Sequence, residues 1–301
     1  MYGSDQTQMK DYMENLLSNK IMKKMGSIFI YLVCSGLTIL PGCIKTKDPD
    51  PYPDKPGTGT KVLVWADEFN YTGLPDNNKW SYDTAGNSGG WGNNEKQFYT
   101  KARLKNAEVK NGVLSINAIK EEYKDFHYTS ARLITKQKGD WLYGRIEVKA
   151  KLPDGRGMWP AIWMLPTDWV YGGWPASGEI DIMENVGYDP YVIVASAHTD
   201  SYNHVEGTQK NNKITISDCY TAFHVYALEW EATEYRVYVD DSLYFTFKNE
   251  GTGSKEWLFD KRFHLLLNVA VGGNWGGAQG IDDTIFPRTM VVDYVRVYQT
   301  K

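Results

Sequence analysis

Gly178-Glu179-Ile180-Asp181-Ile182-Met183-Glu184-Asn185 sets three carboxylates within six residues, interleaved with apolar side chains. On a strand, Glu179 and Asp181 share one face while Ile180 and Ile182 share the other. On a helix, steps of two and five residues scatter the acids over different faces. The segment therefore reads as a strand with one face buried. Glu184 has the wrong parity for the first pair, and one β-bulge near Ile182 and Met183 returns it to the carboxylate face.

The same period of two recurs on either side. It runs through 113–118, 145–152 and 291–298, and through 236–239 into 243–247 across Asp240-Asp241-Ser242, a hairpin signal. Turn signals such as Asn111-Gly112, Pro153-Asp154-Gly155 and Gly272-Gly273 fall between these runs, and no stretch carries a helical stripe. Many short alternating strands in residues 62–299 predict an all-β fold, a two-sheet antiparallel β-sandwich. The connections at 86–94 and 167–177 are longer than hairpins need, so they are expected to line a site.

Crowded carboxylates repel, which raises at least one pKa. Glycoside hydrolysis needs that division: one carboxylate ionised as nucleophile, one protonated as general acid. A separation of about 5 Å between the two carboxyl groups gives the retaining, double-displacement route. Asp181, between the two Glu, is placed to hydrogen-bond the nucleophile. Two other readings stay open: a Ca²⁺ or Mg²⁺ site, for which a strand offers poor wrap-around geometry, and a solvated acidic strand face, which like-charge crowding disfavours.

Glu179-Ile180-Asp181-Ile182-Met183-Glu184 resembles the bulged active-site signature of glycoside hydrolase family 16. Further matching segments are Trp65-Ala66-Asp67-Glu68-Phe69, Gly90-Trp91-Gly92-Asn93-Asn94-Glu95, Ser130-Ala131-Arg132-Leu133, Gly157-Met158-Trp159-Pro160-Ala161-Ile162-Trp163 and Leu267-Asn268-Val269-Ala270-Val271-Gly272-Gly273. They span the whole of 62–299 and are most similar to the laminarinase-like branch, the endo-β-1,3-glucanases and relatives that also cut mixed β-1,3/1,4-glucans. The resemblance implies a β-jelly roll with a concave cleft, a retaining β-glucanase activity and β-glucan polysaccharides and oligosaccharides as partners. It gives Glu179 as nucleophile, Glu184 as acid/base and Asp181 as their assistant. It also implies sugar-stacking roles for Trp159, Trp163 and Trp174, hydroxyl-binding roles for Asn94 and Arg132, and a cleft position near the acid/base for His198; Trp275, on the glycine-rich loop 272–277, is expected to line the cleft with them. No cofactor is implied for catalysis. A structural calcium is implied away from the cleft, with Glu68, the backbone of Gly112 and Asp293 supplying oxygen ligands. His198, Asp200 and His204 fit no zinc spacing. A noncatalytic glycan-binding lipoprotein, a transglycosylase and a hydrolase of another polysaccharide are the alternatives. A binding module would have no use for both Glu179 and Glu184.

Ahead of this body, Lys23-Lys24 is followed by a 13-residue apolar run, 28–40, too short to span a bilayer and the right length for a signal-peptide core. The run ends in Leu40-Pro41-Gly42-Cys43, which resembles a lipobox and predicts lipidation of Cys43. Residues 1–43 thus read as an upstream extension plus a lipoprotein signal. Residues 44–61, with four prolines in 49–56 and alternating charges, read as an extended tether. The expected location is a bacterial membrane, at the outer membrane or cell surface, held only by lipid. Without residues 1–43 the chain carries 29 Lys plus Arg against 34 Asp plus Glu, net −5, so no basic field draws it to nucleic acid. Cys219 then stands alone, read as a small buried hydrophobe in a monomeric protein. The 42 aromatic residues include 11 Trp, of which Trp65, Trp80, Trp141 and Trp230 are assigned to the core.

Overall fold

The computed structural model describes residues 59–301; Cys43 and most of the 44–61 segment lie outside them. The described residues form two sheets and one short 3-10 turn, Asn87–Gly92. The first sheet runs Lys210–Thr215, Val192–His198, Glu179–Glu184, Met158–Pro166, Phe263–Val271, Arg132–Ile134, Ser81–Tyr82, with Asp140–Trp141 paired to Phe263–Val271. The second runs Ser242–Lys248, Glu234–Val239, His224–Trp230, Gly144–Lys151, Arg288–Thr300, Val113–Tyr123, Phe126–Ser130, Gln97–Tyr99. Lys61–Asp67 joins it on Arg288–Thr300, and Ala107–Lys110 on Val113–Tyr123. All pairs are antiparallel except Gln97–Tyr99 with Phe126–Ser130. This is the expected β-sandwich of the jelly-roll kind.

Alternation builds the core between the sheets. Leu114, Ile116 and Ala118 are wholly buried, while Ser115 and Asn117 between them are half-buried. Each large aliphatic side chain so buried contributes about 1.5–3 kcal/mol. The hairpin read at 240–242 is a two-residue turn: Val239 pairs with Ser242, and Asp240 takes φ 52°, the positive φ that the right-handed twist of such hairpins requires. The Asp240 carboxylate accepts from Val225 N at 2.8 Å, which ties the turn to the neighbouring strand.

Trp80, Trp141 and Trp230 are buried, and Trp65 packs edge-on against Trp80 and Trp141 with ring centroids 5.7 and 5.5 Å away. The buried indole N–H of Trp80 donates to Asp67 and that of Trp230 to the Phe259 carbonyl, each at 2.9 Å. Among the described residues, Cys219 is buried and forms no disulfide. The tether boundary differs by one residue: Lys61 opens the first strand, opposite Thr300 in the last. Its ammonium meets Glu229 at 2.7 Å. Pairing of the two ends of the body, which composition does not encode, extends the domain to 61–300.

Candidate active site

Strand Glu179–Glu184 lies inside the first sheet. Against Val192–His198, Asp181 stands opposite Ser196 and Glu184 opposite Val194, so two residues of one strand face one of the other. This is the bulge that parity demands. Ile180, Ile182 and Met183 are wholly buried in the core, and Glu179, Asp181 and Glu184 all open onto one cleft of about 420 Å³ on the outer face of the sheet. Gly178 introduces the strand at φ 85°, and a Cβ there would meet Leu258 Cδ1 at 2.4 Å, so only glycine fits this corner.

The three acids are electrostatically one unit. Burial pushes Glu179, Asp181 and Glu184 each up to about 8; the negative charge of Asp181 adds to the effect on both glutamates. Opposing this, His198 faces the group, with Nε2 3.3 Å from Asp181 Oδ2 and 3.8 Å from Glu179 Oε1. A hydrogen bond with Glu179 favours the Asp181 carboxylate, and Trp159 Nε1 donates to Glu184 Oε1 at 3.0 Å. Three adjacent negative charges in a buried setting are unfavourable, so the trio holds protons near neutrality and titrates as a set. When two protons are shared among the three carboxyls, one negative charge remains.

Glu179, Asp181 and His198 bring ligand atoms within 4.8 Å of one another, an arrangement able to hold a metal ion. They approach from two neighbouring strands of one sheet, hence from one side, whereas Ca²⁺ takes six to eight oxygens around it. The set suits sharing of protons better than encirclement of a cation.

The expected sugar-stacking residues divide. Trp159, Trp163 and Trp174 line the cleft with Arg132. Arg132 is held between the rings of Trp91 and Trp163, 4.3 and 4.6 Å from their centroids, with Nε 3.3 Å from Asp83. Trp275 is edge-on to Trp159 with centroids 5.5 Å apart and is not among the residues that line this cleft. Its glycine loop must come close: a Cβ on Gly276 would lie 2.7 Å from Trp159 Cβ. Asn94 is exposed, donates to Asn274 at 2.8 Å and does not line the cleft; Asn93 does. Asn94 sits at φ 56°, so simple alternation does not carry across this loop. His198 lies opposite Glu179, and its electrostatic influence reaches both Glu179 and Glu184.

Several lining residues had no assigned role in the sequence reading. Trp91 and Trp169 come from the two long loops. Trp91 is held at φ 58°, a costly conformation for a bulky residue, and it packs on Tyr99 at 5.1 Å. Buried Asn87 fixes the loop by exchanging bonds with the Tyr99 backbone at 2.8 and 3.0 Å. From the cleft wall inward, Trp163 Nε1 donates to Asn268 at 2.7 Å, Asn268 to Tyr99 Oη at 3.0 Å, and Gln97 to Glu95 at 2.6 Å. Burial raises the Glu95 carboxyl above its ordinary range. The signal was present in Asn93-Asn94-Glu95-Lys96-Gln97-Phe98-Tyr99, polar residues alternating into a strand, but their partner Asn268 is distant in sequence.

The implied calcium ligands are already engaged. Glu68 takes both Arg296 nitrogens, at 2.7 and 2.9 Å, and Asp293 meets Lys149 at 3.1 Å. A cation bound by these carboxylates would have to displace both partners.

The family model for glycosyl hydrolases family 16 matches residues 94–296. A β-glucanase of Rhodothermus marinus is 55% identical over 244 residues, covering 79% of this chain and 85% of the relative. The laminarinase structure from Rhodothermus marinus superposes with TM-score 0.79 at 53% identity, covering 81% of this chain and 99% of that one. A non-specific endo-β-1,3(4)-glucanase, crystallised with a gluco-oligosaccharide at its active site, gives TM-score 0.77 at 48% identity over 80% of this chain and 95% of that one. On this agreement of signature strand, fold and relatives, the chain belongs to glycosyl hydrolases family 16.

Proposed function

We propose that the chain is a retaining endo-β-glucanase that cuts β-1,3-glucan of the laminarin type, mixed-linkage β-1,3/1,4-glucan, or both. The observation that carries this reading is the bulge that brings Glu179, Asp181 and Glu184 to one wall of a tryptophan-lined cleft. In the first step Glu184 gives its proton to the glycosidic oxygen while a Glu179 oxygen attacks the anomeric carbon, forming a glycosyl-enzyme and releasing one sugar end. In the second, Glu184 takes a proton from water, the water oxygen attacks the same carbon, and Glu179 leaves. Asp181 and His198 hold Glu179 in place between these steps. The lining crosses four adjacent strands, about 14 Å from first to last at the usual strand spacing. A groove of that length accepts an internal stretch of chain, which supports endo action. Indole faces suit the C–H faces of pyranose rings, and the relatives' names support glucan as the polymer.

The test is reducing-end release from laminarin, barley β-glucan, lichenan and agarose. Release from laminarin, from the mixed-linkage glucans, or from both, and not from agarose, is expected, and Glu179→Ala and Glu184→Ala each abolish it. Activity retained in both variants, or release from agarose alone, overturns the reading. We further propose that Cys43 carries lipid and anchors a monomer at a bacterial membrane surface, with residues 44–60 as its tether.

A further inference from the structure

The catalytic strand owes its carboxylate face to one extra residue. Against Met158–Pro166, Met183 stands opposite Ile162 and Asp181 opposite Trp163, which leaves Ile182 with no opposite residue. Against Val192–His198, Ile182 and Met183 together face Ala195. Ile182 is therefore where the alternation resets, and it is wholly buried. A bulge disrupts the hydrogen-bond ladder locally, and a buried carbonyl at such a point needs a donor.

That donor comes from the opposite sheet. Tyr244, on the edge strand Ser242–Lys248, sends its hydroxyl through the core to the Ile182 carbonyl at 2.6 Å. Its ring is buried. Burial, and then the nearby Glu184 and Asp181 charges, hold the phenol far above its ordinary value, so the hydroxyl stays a donor at any working pH. A second buried tyrosine, Tyr235, reaches the next strand, donating to the Ser196 carbonyl at 3.3 Å. Only the Tyr244 bond falls on the bulge itself, two residues before Glu184.

We propose that Tyr244 is a positioning residue for hydrolysis: by holding the Ile182 carbonyl it fixes the bulge, and through the bulge it aims the Glu184 carboxyl at the glycosidic oxygen. The proposal rests on Glu184 as acid/base. With the bond gone, the Ile182–Met183 peptide loses the donor that holds it at the bulge, and the side chain downstream loses its aim. Glu179 lies before the bulge and keeps its register with His198.

The division between the two glutamates supplies the test. A natural glucan linkage has a poor leaving group and needs the Glu184 proton; a dinitrophenyl glycoside of the same oligosaccharide does not. General acid catalysis contributes about 10²–10⁴-fold, and a mis-aimed acid forfeits part of that. Tyr244→Phe is expected to lower kcat/KM on the oligosaccharide about tenfold, through kcat with KM held, and on the dinitrophenyl glycoside by less than about twofold. Both are read on one preparation, so the ratio is independent of the fraction folded. Tyr226→Phe is the control, because that buried hydroxyl has no hydrogen-bond partner among the described residues; its ratio stays at the wild-type value. Equal losses on both substrates, no loss on either, or the same ratio change in Tyr226→Phe overturns the proposal. Inactivity of the wild-type protein on both substrates would instead refute the glucanase reading.

Discussion

Crowding three carboxyls under tryptophan walls costs stability, and Glu184→Gln should recover part of it. The native Glu184 carboxyl is pushed from 4.5 up to about 8, by burial and then by Asp181. It holds its proton to higher pH than the same carboxyl in the unfolded chain. The native state therefore binds more protons between about pH 4.5 and 8, and stability falls as pH rises through that window. That displacement caps the cost at about 5 kcal/mol. Solvent reaches the side chain and the three groups share their repulsion, so about 1–2 kcal/mol is the working figure. Glutamine keeps an oxygen to accept the Trp159 indole N–H, which leaves that contact intact. For a domain of this size, 1 kcal/mol moves Tm by about 2–4 °C, so the variant should melt about 3–6 °C above wild type at pH 8. The gain should shrink as pH falls and vanish near pH 4, where both states of the wild type are protonated. Thermal melts by circular dichroism at pH 4, 6 and 8 read this directly. A variant no more stable at pH 8, or a gain independent of pH, refutes the electrostatic account of the trio.

Other expectations follow from single contacts. Trp159→Phe removes the N–H that favours the Glu184 carboxylate, so the alkaline limb of the kcat/KM profile moves to higher pH; an unmoved limb contradicts that role. Chelation of calcium leaves Tm unchanged, because Arg296 and Lys149 already neutralise Glu68 and Asp293; a fall of several degrees would show that a cation displaces them. Cys43→Ala abolishes palmitate labelling of cells expressing the full chain, and persistent labelling removes the lipid-anchor proposal.

How much was legible in the sequence depended on whether a strand or a loop held the residue. On strands, a period of two fixes the face, so Leu114, Ile116 and Ala118 were readable as core, and the odd parity of Glu184 was enough to require the bulge found beside Ile182. In loops no such rule exists. Asn94 and Asn93 are neighbours, yet the cleft takes Asn93 because the backbone turns through positive φ at Asn94. Trp91 and Trp169 were hidden for the same reason. Trp275, expected to line the cleft from its glycine-rich loop, stands edge-on to Trp159, a contact no local pattern announces. Tyr244 and Asn268 could not be found from local pattern, since each acts on a residue far along the chain: Tyr244 62 positions from Ile182, Asn268 105 from Trp163.

The central claim is that Glu179 forms a bond to sugar. A 2-deoxy-2-fluoro glucan oligosaccharide bearing a dinitrophenyl leaving group tests it, because the fluorine slows the second step and lets the glycosyl-enzyme accumulate. Mass spectrometry of the digested protein should find one sugar adduct, on the peptide containing Gly178-Glu179-Ile180, with fragmentation placing it on Glu179. An adduct on Glu184 or Asp181, or active enzyme with no adduct at all, would contradict the assignment.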